Sequence, residues 1–117
     1  MIEQQTTIQH ETANGVYGVL TSGFIDDKIL DKAIETWGIY AQLEMVIEEC
    51  LELALALQKL KRLRGDMTQK EKNVIDEIAD VKIMIKQAEM IFGSEPVNER
   101  VDFKMNRLNE RLSEGVA

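Results

Sequence analysis

The sequence predicts an all-α protein, a four-helix, bundle-like unit. Three observations carry that prediction. After residue 25, apolar residues recur at i, i+3, i+4 and i+7 through most of the chain, the period of a helix with one buried face. One Pro and 5% aromatic residues are poor material for a β-sandwich. Gly38, Gly65 and Gly93 punctuate the periodic runs where helices would stop.

Residues 1–24 form a polar arm with Gly15, Gly18 and Gly23 and no helical period. Val16, Tyr17, Val19 and Leu20 suit a short extended piece or an arm packed on a partner. The all-α domain is expected over residues 25–113, with a frayed tail at 114–117. Asp26 or Asp27 can cap a first helix, in which Ile29, Leu30, Ala33, Ile34 and Trp37 make the apolar row. A longer helix over 39–64 carries Leu43, Val46, Ile47, Cys50, Ala54 and Leu57 as a stripe. Leu51, Leu53 and Leu55 widen the stripe beyond one neighbour, so burial on two sides is expected, one of them a subunit interface. Lys59, Lys61, Arg62 and Arg64 offset the dipole at its end, and Gly65 caps it. Thr68 with Glu71 reads as a capping box for a third helix that ends at Gly93 and buries Val74, Ile78, Val81, Ile85 and Ala88. Ser94 and Pro96 open the last helix, with Val101, Met105, Leu108 and Leu112 as its apolar stripe.

Composition narrows the function. The chain has 117 residues with 14 basic and 21 acidic side chains, a net charge of −7, which suits one soluble domain and excludes a broad basic field for a nucleic acid polymer. Cys50 is the single cysteine, so no intrachain disulfide, zinc finger or CxxC site can form. His10 is the single histidine, which leaves little room for His-dependent nucleophilic catalysis. No apolar run is long enough to span a membrane and the N-terminus does not read as a secretion signal, so the expected location is the cytoplasm.

Two acidic clusters do not fit a plain bundle. Glu48, Glu49 and Glu52 lie on the long helix, and Glu77 and Asp80 lie on the next one. Glu49 and Glu52 stand roughly 60° apart on one face, and Glu77 and Asp80 repeat that spacing. Like charges so placed destabilise a helix by a few tenths of a kcal/mol per pair, about what a favourable pair contributes. A short turn lets the two helices pack antiparallel, so that the clusters meet. Converging carboxylates repel and raise their own pKa values, and a hard divalent cation, Mg²⁺ or Mn²⁺, relieves that. Lys104, Arg107 and Arg111 form a basic stripe on the last helix, either a phosphate clamp or a solvated face. Trp37 and Tyr40 precede the first cluster, either to stack on a base or to fill the core.

On these residues the chain resembles the MazG-like all-α nucleoside triphosphate pyrophosphohydrolases, a superfamily that includes dimeric dUTPases and phosphoribosyl-ATP pyrophosphatases. Its EExxE…ExxD signature is matched by Glu48-Glu49-Cys50-Leu51-Glu52, 24 intervening residues and Glu77-Ile78-Ala79-Asp80. The flanks are also similar to small bacterial and phage members: Trp37-Gly38, Gln42-Leu43 and Met45 before the motif, and Lys104-Met105-Asn106-Arg107-Leu108 with Arg111 near the end. The similarity covers roughly residues 28–112. It implies a MazG-type fold and Mg²⁺-dependent cleavage of an NTP or dNTP to the monophosphate and pyrophosphate. It also implies roles by position: Glu49, Glu52, Glu77 and Asp80 as metal ligands, Glu48 and Glu49 in catalysis, and Lys82, Lys104, Arg107 and Arg111 at the phosphates.

Two other functions compete. A di-iron bundle wants Glu-x-x-His pairs, and no His follows His10. A non-catalytic helical module, binding a nucleotide or a protein, accounts for the leucines but not for two acidic clusters of matching spacing. A domain this small with surplus leucines is expected to form a homodimer or homotetramer.

Overall fold

The computed structural model describes residues 23–115; the expectations for the N-terminal arm and His10 fall largely outside them. Among the described residues the protein is all-α, with four helices and no strand: α1 (Asp27–Trp37), α2 (Ile39–Lys61), α3 (Met67–Phe92) and α4 (Ser94–Ser113). Among them, no helix is long and apolar enough to cross a membrane.

Local chemistry sets the boundaries. The Asp26 carboxylate accepts from the Lys28 backbone N–H at 2.9 Å and starts α1. Gly38 separates α1 from α2 with φ 91° and ψ 157°, a conformation open essentially to glycine alone, while its N–H donates to the Ile34 carbonyl at 2.7 Å. Two expectations are corrected at the α2–α3 turn. Helix α2 ends at Lys61, earlier than residue 64, because Leu63 leaves the helical region at φ 52°. The cap of α3 is Asp66 rather than Thr68: its carboxylate accepts from the Gln69 N–H at 3.1 Å, and Thr68 lies inside the first turn. A carboxylate there satisfies an orphan donor and meets the positive end of the helix dipole.

Helices α2 and α3 form an antiparallel hairpin, the main packing unit of the chain. The Lys70 ammonium clamps its turn, donating to the Lys59 carbonyl at 3.1 Å and to the Arg64 carbonyl. From the turn outward the groove runs through Lys59 and Lys70, then Ala56 and Asn73, then Glu52 and Glu77. Glu49 and Asp80 follow, then Met45 with Met84 and Gln42 with Gln87. Helix α1 lies across the far end of the hairpin, where the Gln87 side-chain amide donates to the Leu30 carbonyl at 3.3 Å.

The core within one chain is small. Among the described residues, Leu30 and Val74 are its buried apolar members, joined by two buried polar ones, Gln42 and Gln87. The apolar rows fall on helix faces, but several of their members lie open. Ile47, Cys50, Ala54 and Leu57 of α2, Ile78 and Ile85 of α3, and Val101, Met105, Leu108 and Leu112 of α4 are exposed. Helix α4 has no buried residue and packs mainly where it leaves α3.

Candidate functional site

The hairpin converts a spacing in the sequence into a site. Glu49 and Glu52, one turn apart on α2, face Glu77 on α3, and each of the three offers a carboxylate oxygen within 4.8 Å of the others. Asp80 adds a fourth carboxylate, paired with Glu77 and acting on Glu49. Glu49 Oε1 and Glu77 Oε1 are buried and have no hydrogen-bond partner among the described residues.

The electrostatics follow from that geometry. The Glu49 carboxyl is pushed up from 4.5 to about 7. Desolvation is the largest cause; the protonated carboxyl then donates to Glu52, and the charges of Asp80, Glu52 and Glu77 add to the shift. Glu77 is also raised, first by desolvation, then by the charges of Glu52, Asp80 and Asp76 and by donation to Asp80. The charges acting on these two groups are all carboxylates.

A small hard cation fits this donor set. Opposite ligands of octahedral Mg²⁺ stand about 4.2 Å apart. Adjacent ligands stand about 3.0 Å apart, so oxygens that lie within 4.8 Å of one another would have to draw closer to share one ion. The two orphaned acceptors would then gain a partner, and the like charges would be neutralised.

The other expected site residues are placed less uniformly. Glu48 is exposed and stands apart from the three converging glutamates. Trp37 is 66% exposed and lines a hollow between α1, α2 and α3, so it is a wall rather than core filling. Tyr40 is 85% exposed and stands outside that hollow. Lys82 borders a separate apolar cleft with Phe24, Ile25 and Ile29. Lys104 sits with Phe92, Pro96 and Val101 at the α3–α4 junction. Arg107 and Arg111 lie farther along α4, exposed. Within one chain, none of these four basic groups lines the carboxylate cleft.

Sequence reasoning missed the groove's other occupants. Lys59 and Lys70 line a cleft of about 200 Å³ with Glu52, Asn73 and Glu77. Gln42 and Gln87 line the hollow at the other end. The signal was available in the register: once Glu52 is set opposite Glu77, counting along both helices brings Lys59 to Lys70 and Gln42 to Gln87. Comparison with protein-family models, with curated proteins and with solved structures yields no match.

Proposed function

We propose that this protein is a MazG-like, Mg²⁺-dependent nucleoside triphosphate pyrophosphohydrolase. The observation that carries the reading is the convergence of Glu49, Glu52 and Glu77 from two helices, with two buried acceptor oxygens unsatisfied. Glu49, Glu52, Glu77 and Asp80 hold the cation, with Mn²⁺ as a substitute. The cation supplies charge neutralisation at the phosphates and a more acidic water. Water attacks the α-phosphorus, the bond from that phosphorus to the α–β bridging oxygen breaks, and pyrophosphate departs with that oxygen. Glu49 and Glu48 would orient the water and take its proton, with Glu48 turning in from its exposed place outside the cluster. Lys59, which lines a cleft with Glu52 and Glu77 on the turn side, would meet the departing phosphates.

The unpartnered stripes supply the second half of the proposal. A second copy covers the open apolar faces of α2, α3 and α4, giving a homodimer or a dimer-based tetramer. Lys104, Arg107 and Arg111 then reach the phosphates across the interface, with Lys82 from α3. The expected location is the cytoplasm, where nucleotide substrates and Mg²⁺ are available. The exposed apolar stripes also favour a second reading, a helical module that binds a nucleotide or a protein without cleaving anything.

A panel of NTPs and dNTPs, incubated with Mg²⁺ and resolved for monophosphate, pyrophosphate and orthophosphate, separates the two. Pyrophosphohydrolysis predicts equal monophosphate and pyrophosphate, reduced at least about a hundredfold in Glu49→Gln and in Asp80→Asn. Absence of turnover on every nucleotide, with no Mg²⁺-dependent change in thermal stability, selects the binding module.

A further inference from the structure

A cleft of about 270 Å³ lies between the start of α1 and the middle of α3. Phe24 and Ile29 form one of its walls, and Ala79 and Ile83 of α3 form the other. Phe24, Ile29 and Ile83 are all exposed. The cleft therefore presents apolar side chains to water, and any apolar segment that covered them would be favoured. Its acidic lining residue, Asp26, already accepts from the Lys28 N–H as the cap of α1. Lys82 is the basic group on the rim.

Three observations point to the chain's own N-terminal segment as the occupant. The first is where that segment joins the domain. Gly23 itself lines the cleft, so residues 1–22 enter at its rim. Val16, Tyr17, Val19 and Leu20 are the one apolar cluster in those residues, and they precede Gly23 by three to seven positions. That is at most about 10 to 25 Å of chain. The second is the turn at the rim. Gly23 has φ 68°, in the left-handed region, and a Cβ placed there would meet nothing within 4 Å. Glycine is needed there for the turn, not for space. The third is charge. Residues 1–22 contain Glu3 and Glu11 and no Lys or Arg, the opposite sign to Lys82. Tethering separates this occupant from a free partner: a segment only a few residues away is held at an effective concentration on the order of millimolar.

We propose that the cleft between α1 and α3 is the seat of the chain's own N-terminal segment, with apolar side chains of residues 16–20 packed against Phe24, Ile29 and Ile83. Ala79 and Lys82 bracket Asp80 along α3, so the seat adjoins the candidate metal site without using its ligands. A triphosphate that drew on Lys82 would compete for the rim contact alone, because the seat itself is apolar. The assignment does not depend on the hydrolase reading.

Disulfide trapping in the full chain tests it. Cys50, the single and exposed cysteine, is replaced by Ser. Val19→Cys and Leu20→Cys are each combined with Ile83→Cys, and oxidation is followed on non-reducing gels at micromolar protein. The same pairs are then studied with Val16→Asp and Tyr17→Asp, which leave the tether length unchanged but remove half of the apolar cluster. The proposal predicts a cross-linked monomer in at least one pair, formed at least about tenfold more slowly once the aspartates are present. If Ile83→Cys fails to fold by circular dichroism, Ala79→Cys, an exposed position on the same wall, takes its place. A cross-linked dimer as the main product overturns the proposal and gives the cleft to the segment of a second copy. A cross-linked monomer whose rate the aspartates leave unchanged also overturns it, because a tether without a seat would behave that way. Absence of any cross-link in folded variants overturns it outright.

Discussion

Glu49 concentrates the chemistry of the site in one group. Its carboxyl is held up near 7 by desolvation, by donation to Glu52 and by three neighbouring carboxylates. A carboxyl raised in the folded state favours folding below its ordinary value of 4.5, and that contribution is lost as pH climbs through about 7. Metal-free protein should therefore lose thermal stability across that window, and Glu49→Gln should flatten the dependence. At pH 8 without metal the variant should melt higher than wild type; with millimolar Mg²⁺ the proposed ligand set predicts that the order reverses, because the variant would lack one of its carboxylates. Melting curves from pH 4 to 8, with and without Mg²⁺, check both signs. A wild-type profile that is flat in this range and insensitive to Mg²⁺ would contradict the picture of mutually repelling ligands.

At the scale of elements, the α2–α3 hairpin positions the site, and its turn sets the register. Asp66 caps α3 and Lys70 ties the Lys59 and Arg64 carbonyls, so both act on the same few ångströms of chain. Asp66→Ala should cost about 1 kcal/mol of stability, typical of a lost N-cap, measurable by urea unfolding. Lys70→Met should loosen the turn and weaken Mg²⁺ affinity although Lys70 is not a metal ligand; calorimetric titration with Mg²⁺ checks it, and an unchanged affinity would show that the turn does not position the carboxylates. Much of this hairpin is legible in the sequence, because the period of 3.6 residues is local and shows which residues share a face. That period alone groups Glu49 with Glu52 and Glu77 with Asp80. The Asp66 cap escapes such a reading because Thr68 and Glu71 offer a competing box two residues later. Gln42 and Gln87 escape it for a different reason: a lone glutamine in a helix reads as surface, and only the tertiary register shows that these two are enclosed together.

The whole molecule is open in a way that periodicity could not reveal. A sequence pattern shows that a face is apolar, not what covers it, and α4 is the clearest case: Val101, Met105, Leu108 and Leu112 form a stripe that no described part of the chain covers. An apolar surface of this extent is what the proposed assembly would cover. The protein is accordingly expected to run as a dimer or larger at micromolar concentration by sedimentation velocity. Met105→Glu with Leu108→Glu alters residues that are 58% and 44% exposed, so the helices of one chain should persist while the assembly dissociates to monomers. If Lys104, Arg107 and Arg111 reach the phosphates across the interface, that dissociation should also lower kcat/KM at least tenfold. A wild-type monomer would contradict the assembly and leave the basic stripe of α4 without a route to the carboxylates.

The central claim is that these carboxylates direct water to the α-phosphorus. The most direct measurement is hydrolysis of the preferred triphosphate in ¹⁸O-labelled water with Mg²⁺, followed by mass spectrometry of both products. The account predicts one ¹⁸O in the nucleoside monophosphate, none in the pyrophosphate, and loss of both products in Glu49→Gln. Label in the pyrophosphate, release of orthophosphate as the primary product, or undiminished turnover in Glu49→Gln would contradict it.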